Sequence, residues 1–392
     1  IFTGECEEAF LEFVNVLESG GDPSGIRNLG YMKDGAMQLN PVRPFPDLKS
    51  LPPKDYSVFD FQKIIDAKNG WVGLMASRGC PFNCTYCFNH VLVKKYRSEL
   101  NCSFKELNYI RHVPVPDLIA EIQYLLRTYS NIRMFIFDDD LFTYDSAYLQ
   151  EFCEAYKKTC DIPFVVNAHV RFFDPARARA LADAGCRIVK FGLESGSPRV
   201  RKTIMRRHMS NKEIQQAIAY AKAEGMHTSC FVMLGLPGEE AGDVQQTIDL
   251  LAEAQPGRFR WTFFYPFPGT EAYRLSEEGG YIDYHKKETL SNFTETSCLD
   301  FGPDQNLFLS KVGRMMPWFV NARAGFEGSD VYRKKVDELM AMDEAAWQQV
   351  EDGLLEEEKK LSEQMVREGK RHYAVKYNPF MGVISDYFLS EE

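Results

Sequence analysis

Residues 71–87 read Trp71-Val-Gly-Leu-Met-Ala76-Ser-Arg-Gly-Cys80-Pro-Phe-Asn-Cys84-Thr-Tyr-Cys87, a short apolar run with three cysteines close behind it. An apolar run of this length is typical of a buried strand. The cysteines then lie in a loop at the C-terminal end of that strand, all within eight residues. We therefore expect their thiols to converge on one metal centre.

The spacing of the cysteines is compatible with two kinds of metal centre. A zinc site normally takes four ligands, often from two Cys-x-x-Cys pairs, and this chain has no second pair; Cys102 is the nearest candidate for a fourth thiolate. An iron–sulfur cluster held by three thiolates departs from the usual four-cysteine pattern and leaves one iron open. Catalytic metal sites keep such an open position. We therefore favour a cluster held by Cys80, Cys84 and Cys87.

Six strand patterns alternate with helical patterns from this point onward. The predicted strands are 71–76, 132–137, 163–168, 187–193, 226–234 and 259–265. The predicted helices between them lie near 116–126, 145–158, 174–184, 210–224 and 240–254. Such alternation favours an α/β fold with a parallel sheet and right-handed crossovers. The periodicity leaves open whether the sheet is open and doubly wound or curled toward a barrel.

The segments on either side of this series differ in character. Residues 1–40 combine a helical pattern with an Asp34-Gly35 turn, residues 41–70 form a proline-rich linker, and residues 276–392 are helical and charged. In the last segment apolar residues recur every seven positions, at Trp347, Leu354 and Leu361. This pattern favours a surface helix with one apolar stripe over a coiled-coil partner helix. The α/β unit is therefore predicted to occupy residues 71–275.

The composition excludes several classes of partner and location. Lys and Arg number 46 against 56 Asp and Glu, so the net charge of −10 makes a nucleic acid an unfavourable partner. No apolar run approaches the ~18–20 residues that span a bilayer, and the start of the chain lacks a signal-peptide pattern. We therefore expect a reducing, cytoplasmic location, where seven of the ten cysteines are packing residues.

The spacing Cys-x-x-x-Cys-x-x-Cys, with Tyr86 before the last cysteine, resembles that of the radical S-adenosylmethionine (SAM) enzymes. Residues 189–197 (Val-Lys-Phe-Gly-Leu-Glu-Ser-Gly-Ser) are similar to the family's fourth-strand motif, whose Glu and Ser approach the cofactor. Residues 231–239 resemble the glycine-rich motif of the fifth strand, which backs the adenine, and residues 264–271 resemble the proline-rich turn after the sixth. Residues 135–140 occupy the second-strand position, where the family's glycine-glycine-glutamate is absent.

The resemblance covers about residues 71–275 and implies a partial (βα)6 TIM-like barrel with a helical C-terminal extension and a short N-terminal remnant and linker. It implies a 4Fe-4S cluster on the three cysteines, and SAM bound at the open iron. A small-molecule substrate and a one-electron reductant of flavodoxin or ferredoxin type follow from the same chemistry. The candidate cofactor-binding residues are Tyr86, Asp138, Asp139, Asn167, Arg171, Glu194, Ser195, Gly235, Pro237 and Gly238.

The positions of these candidates agree with the general architecture of (βα) barrels. Active sites of such barrels lie at the C-terminal ends of the strands, and most of the candidates fall just after a predicted strand. Arg171 could hold the methionine carboxylate or form a surface ion pair. Asn167 could contact a ligand or be a satisfied polar group of the core. Glu194, in a run that is otherwise apolar, favours a functional role.

The N-terminal stretch Thr3-Gly-Glu-Cys-Glu-Glu-Ala-Phe-Leu11 resembles the tail of the cobalamin-binding domain that precedes one subgroup of this superfamily. The subgroup's corrinoid motif, Asp-x-His-x-x-Gly, is absent; residues 283–288 come close but end in Glu and lie beyond the barrel. We therefore expect the chain to be a fragment, with cobalamin held by sequence upstream.

The expected reaction is cobalamin-dependent methyl transfer to, or rearrangement of, a small molecule. Two alternatives remain at this point. One is a corrinoid-independent radical enzyme, either an oxidoreductase or a methylthiotransferase-like modifier of RNA. The other is a non-catalytic iron–sulfur scaffold whose C-terminal helices bind a partner.

Overall fold

The computed structural model describes residues 1–291, 296–378 and 383–386, and a six-stranded parallel sheet forms its centre. The strands are β1 (Trp71–Leu74), β2 (Met134–Phe137), β3 (Phe164–Ala168), β4 (Cys186–Glu194), β5 (His227–Leu234) and β6 (Arg258–Phe263). Each strand pairs with its predecessor in the chain, so the spatial order is the sequence order. The six predicted strands are all confirmed, with bounds shifted by a few residues.

The strand order decides between the two architectures that periodicity left open. A doubly wound sheet reverses its strand order and carries helices on both faces, whereas sequential right-handed crossovers place every helix on one side. The helices are α1 (Val115–Thr128), α2 (Ser146–Lys157), α3 (Pro175–Asp183), α4 (Asn211–Ala223) and α5 (Ala241–Ala254). Alternate strand residues such as Phe135, Val166, Phe191 and Val232 pack in the core with these helices. The sheet is therefore a half-barrel, and its other face lines a lumen.

A sixth helix, α6 (Pro303–Asn321), covers β6. Trp261 donates its indole N–H to the carbonyl of Gly313 at 2.7 Å, and the Phe263 ring lies so close to Gly313 that a Cβ there would meet it at 2.3 Å. The sequence predicts that the α/β unit ends at residue 275, before this helix. We propose that the sixth βα unit extends to Asn321, because α6 packs on its own strand.

The N-terminal segment is a helix, Glu7–Glu18, and a hairpin of Gly30–Lys33 and Ala36–Leu39 around the predicted Asp34-Gly35 turn. It is attached to the barrel by Glu5, whose carboxylate pairs with Arg111 and, at 2.7 Å, with Arg78. Those two arginines lie on a short antiparallel pair, Ser77–Arg78 and Arg111–His112. The segment therefore contacts the chain on both sides of the cysteine loop.

The C-terminal region contains helices Tyr284–Thr289, Ser329–Met340, Glu344–Val350 and Leu354–Arg367, and an antiparallel pair, Lys376–Asn378 with Val383–Asp386. The apolar stripe expected on one helix is divided between two: Trp347 lies on the third, while Leu354 and Leu361 lie on the fourth. All three side chains are buried in the main core. Residues 351–353 divide the predicted helix in two, so the prediction of a single helix is wrong. The inward packing of the stripe agrees with a surface helix that has one apolar stripe. Residues 292–295, 379–382 and 387–392 of the predicted helical region lie outside the described residues.

Shorter elements complete the description. They are the helices Phe61–Ala67, Phe88–Leu100, Phe104–Leu107 and Glu271–Glu278, and a π-helical turn at Val200–Ile204. In the described part of the chain, no helix has the length and apolar character to cross a membrane.

Candidate active site

The cysteine loop connects β1 to the helix Phe88–Leu100 at the C-terminal rim of the half-barrel. Gly79 precedes it with φ +95°, and a Cβ there would meet the Tyr109 carbonyl at 2.3 Å, so the entry to the loop requires glycine. Inside the loop, Thr85 donates its hydroxyl to the Ile204 carbonyl at 2.7 Å and its amide to the Met205 carbonyl at 3.1 Å. The loop is thereby fixed against the segment that follows β4.

The three predicted metal ligands are free thiols, with Cys84 buried and Cys80 and Cys87 half-buried. Burial raises the pKa of the Cys80 thiol to about 12, and Asp140 and the other two thiols act in the same direction. Cys87 Sγ also accepts a 3.5 Å hydrogen bond from the Asn89 amide at the start of the following helix. Within the described residues, no group of three or more His, Cys, Asp or Glu side chains forms a ready-made site for a metal ion. The thiols share one loop and one electrostatic environment, which fits a thiolate-held cluster once iron displaces their protons.

A half-buried cation, Arg207, lies directly behind Cys84. Its guanidinium donates to the Gly192 carbonyl at 2.6 Å and to the Tyr86 hydroxyl at 3.2 Å, and it lies 3.8 Å from Cys84 Sγ. Its buried Nε–H has no partner among the described residues. Burial alone would lower the pKa of Arg207, but Tyr86 and Glu194 hold it above its ordinary value. Sequence reasoning missed this residue, since its partner Tyr86 is 121 positions away in the chain.

Glu194 faces Arg207 from the end of β4 in an unusual backbone conformation. Its φ is +64°, and the register with β5 shifts between Gly192 and Glu194. Such irregularities turn a side chain toward a site at the end of a strand. A Cβ at Gly192 would lie 2.4 Å from the Glu194 carboxylate, so glycine leaves room for it. Burial raises the pKa of Glu194, while Arg207 and Tyr86 oppose that rise.

The residues after Glu194 turn away from the rim and into the core. The Gly196 amide donates to Thr247 Oγ1 at 2.7 Å, and Ser197 donates its hydroxyl to Asp243 at 2.6 Å. Ser195, a predicted cofactor-binding residue, is fully buried with its hydroxyl 3.4 Å from that of Thr247. The structure therefore places the Ser195 side chain against α5.

The glycine-rich loop after β5 is shaped by Glu239. One oxygen of its carboxylate accepts from the amides of Gly235 at 2.7 Å and Leu236 at 3.3 Å. The other oxygen is buried without a partner among the described residues, and burial raises the pKa of this group to about 8. Gly235 and Gly238 both have positive φ, near +72° and +74°, which agrees with a backbone that turns sharply around Pro237. Glu239 belongs to the glycine-rich motif at residues 231–239 but is not among the predicted cofactor-binding residues.

The acidic residues after β2 point in different directions. Asp138 is exposed, and its carboxylate lies 3.9 Å from Lys190 Nζ. Asp139 is buried and accepts from the Ala76 amide at 3.1 Å and from the Ser77 hydroxyl; burial raises its pKa to about 6. Asn167 donates to the Asp139 carbonyl at 2.9 Å. Asp139 therefore connects β2 to β1, whereas Asp138 faces the lumen.

Arg171 lies apart from the other candidates. It is exposed, with Nη1 3.4 Å from the His208 carbonyl and Nε 3.8 Å from the Glu213 carboxylate. Its neighbour His169 is buried instead and stacks on Phe82 of the cysteine loop, with ring centroids 4.2 Å apart. Burial lowers the pKa of His169 to about 3. In this structure Arg171 forms a surface ion pair with Glu213, which is one of the two roles that the sequence left open for it.

Comparisons with known proteins bear on this arrangement. The family model of the radical SAM superfamily matches residues 74–251. The chain is 28% identical over 279 residues to an uncharacterized methyltransferase of Pyrococcus horikoshii, covering 70% of this chain and 57% of that protein. It is 24% identical over 323 residues to cytidylyl-2-hydroxyethylphosphonate methyltransferase of Streptomyces wedmorensis, covering 72% and 58%. The chain thus spans little more than half the length of these relatives.

Solved structures share the fold at lower identity. The cobalamin-dependent SAM radical enzyme OxsB, with aqua-cobalamin bound, superimposes with a TM-score of 0.63 at 14% identity, covering 86% of this chain and 54% of that one. The radical SAM methyltransferase TsrM from Kitasatospora setae, bound to tryptophan and a SAM analogue, gives a TM-score of 0.57 at 16% identity, covering 70% and 53%. These likenesses agree with a half-barrel of six parallel strands.

Proposed function

We propose that this chain is a radical SAM enzyme, since the model of that superfamily matches residues 74–251, and that Cys80, Cys84 and Cys87 hold the 4Fe-4S cluster that acts with SAM. The observation that carries the proposal is the position of three free thiols at the barrel rim, beside half-buried Arg207 and Glu194. When bound and reduced, such a cluster would supply one electron to the sulfonium of SAM, whose carbon–sulfur bond would break to give methionine and a 5′-deoxyadenosyl radical.

Arg207 is the residue we assign to the carboxylate end of SAM. The buried Nε–H of this half-buried guanidinium has no acceptor among the described residues, and a carboxylate is the partner that its geometry suits best. The Gly192 carbonyl and the Tyr86 hydroxyl hold its other N–H groups in place. This assignment replaces Arg171, whose guanidinium is exposed and paired with Glu213.

The remaining rim residues orient the rest of the cofactor in this proposal. Glu194 offers a carboxylate at the end of β4, as an acceptor for hydroxyl or amino groups. The backbone at Gly235, Pro237 and Gly238 forms a flat wall for the adenine, and Glu239 holds that wall through the Gly235 and Leu236 amides. Asp138 and Asn167 border the lumen on the side of β2 and β3. Ser195 and Asp139 act through the backbone that they position.

The reaction we propose is cobalamin-dependent methyl transfer to, or rearrangement of, a small molecule. Two relatives bear methyltransferase names, and the N-terminal stretch before the proline-rich linker resembles the tail of a cobalamin-binding domain. A small flavodoxin- or ferredoxin-type protein would deliver the electron. A reducing, cytoplasmic location is part of the proposal, because a cluster with an open iron is sensitive to oxygen.

Reconstitution under anaerobic conditions tests this function. The full chain is loaded with iron and sulfide, reduced with dithionite and mixed with SAM, and 5′-deoxyadenosine is measured by chromatography. We expect the product from the native chain and none from the Cys84→Ala variant. A preparation with a complete 4Fe-4S spectrum that forms no 5′-deoxyadenosine would overturn the proposal.

A further inference from the structure

The inner face of the half-barrel changes from apolar to polar partway up its strands. Successive residues of a strand point to opposite faces, and the residues next to the core-packed ones face the lumen. The lower row of inner positions is apolar: Ile136, Val165 and Ile188 are neighbours in register on β2, β3 and β4. The next row is polar on four adjacent strands: Asn167, Lys190, Ser229 and Arg258.

The two cations of this row are only partly compensated. Lys190 Nζ lies 3.9 Å from Asp138, a long ion pair with a carboxylate side chain that is 58% exposed. Arg258 donates Nε to the Ser229 hydroxyl at 3.0 Å and forms no ion pair with any residue that the structure describes. Lys190 on β4 and Arg258 on β6 are thus left with donor groups on the lumen side of the sheet.

Lys190, Arg258 and Arg260 lie close enough for their charges to interact. Burial lowers the pKa of Lys190, and Arg258 and Arg260 act in the same direction, while Asp138 opposes them. Arg260 lies on the inner face of β6, two residues after Arg258. Lys190 and Arg258 therefore repel one another across the lumen, and a bound anion would relieve that repulsion.

The two cations are partly accessible to solvent. Inner-facing Gly73, Lys190, Arg258 and Thr262 all keep some solvent exposure, whereas the outward neighbours on the same strands, such as Phe191 and Phe259, are fully buried. Ser229, between the two cations, is fully buried.

We propose that Lys190 and Arg258 form a subsite for an oxyanion of the substrate, a carboxylate, phosphate or phosphonate, with Ser229 between them. Lys190 precedes Glu194 by four residues on β4, or about 13 Å of strand. An oxyanion bound here would therefore place the body of a small molecule between the subsite and the rim. The assignment of the anion to a substrate rests on the proposed function; the anion site itself does not.

Binding of simple anions tests the subsite. Inorganic phosphate and, separately, acetate are titrated by calorimetry into the full chain without SAM. We expect at least one of them to bind, and the Lys190→Met and Arg258→Met variants each to bind it about tenfold more weakly. Lys190→Arg should restore most of the affinity. Arg187→Met is the matched control, because Arg187 lies on the same strand but is exposed on the outer side, and we expect it to bind like the native chain.

The outcomes separate the two proposals. A preference for phosphate over acetate would indicate a phosphate or phosphonate substrate, and the reverse a carboxylate. If neither anion binds at millimolar concentration, or if both methionine variants bind like the native chain while remaining folded by circular dichroism, the subsite is refuted. If the native chain binds phosphate through Lys190 and Arg258 but the reconstituted protein forms no 5′-deoxyadenosine, the proposed function fails and the subsite stands.

Discussion

Arg207 donates a 2.6 Å hydrogen bond to the carbonyl of Gly192, which ties the loop after the π-helical turn to β4 two residues before Glu194. The bond fixes a half-buried cation behind the cysteine loop. Its charge is balanced in part by Glu194, and its Nε–H has no partner among the described residues. Arg207 is therefore preorganised for an anionic group of a ligand.

Arg207→Met should weaken SAM binding by about tenfold or more, because one charge-assisted hydrogen bond to a carboxylate is lost. The measurement is equilibrium dialysis of labelled SAM with the reconstituted protein. Arg171→Met provides the control, since Arg171 is exposed and bound to Glu213. Equal losses in the two variants, or none in Arg207→Met, would contradict the assignment.

Cys84→Ala should lose the cluster, because two thiolates of one loop cannot hold it in place of three. Iron and sulfide per chain, measured after reconstitution and desalting, report the loss. Cys102→Ala is the control: Cys102 is a partly exposed free thiol, and it is the nearest candidate for a fourth ligand. A chain that keeps full iron without Cys84, or loses it without Cys102, would refute the ligand set.

The six strands were predictable because the signal for each is local, whereas the half-barrel was implied only by the resemblance to the radical SAM enzymes. Each strand carries its own apolar run, and the cysteine motif needs only eight residues. The position of α6 was not predictable in the same way. It follows β6 by some forty residues, and the contacts of Gly313 with Trp261 and Phe263 place it on that strand.

The sequence indicated which loops carry the candidate site. It did not indicate which side chains in those loops face the site. Arg171 and Asp139 follow strands as expected. Arg171, however, turns to the surface, and Asp139 accepts a hydrogen bond from the Ala76 amide just beyond β1. The spacing of residues in the sequence could not identify Arg207 as a candidate site residue. Its position at the site depends on a contact with Tyr86, which is 121 positions away in the chain. The row of Asn167, Lys190, Ser229 and Arg258 likewise exists only in the register of four strands.

Gly196→Ala should destabilise the chain by about 3 kcal/mol, because its Cβ would lie 2.3 Å from the Gln246 carbonyl and 2.4 Å from Thr247 Cα. Both obstacles are backbone of α5 and cannot rotate away. Gly242→Ala is the opposite case, since nothing lies within 4 Å of its Cβ and alanine favours the helix by about 0.5–1 kcal/mol. Thermal unfolding should therefore move down in the first variant and slightly up in the second. A tolerated Gly196→Ala would show that β4 and α5 are packed less closely than described.

Glu358 should make the stability of the C-terminal region depend on pH. Its carboxylate is buried and accepts from the Trp318 indole and, at 3.1 Å, from the Val375 amide. Burial raises its pKa to about 7, against 4.5 ordinarily, despite those two donors. The folded state therefore holds this proton more tightly than the unfolded state. The stabilisation is complete at pH values below about 4.5 and is lost as the pH rises through about 7.

The Glu358→Gln variant separates this contribution from that of other titrating groups. Between pH 5.5 and 8.5 the native chain should lose about 2 kcal/mol of unfolding free energy more than the variant does. Urea unfolding followed by tryptophan fluorescence measures it, since the Trp318 ring is buried against Glu358. The variant's absolute stability is expected to fall at low pH, because its amide can accept from only one of the two donors. Parallel pH profiles for the two proteins would show that Glu358 is ionised in both states and would contradict the raised pKa.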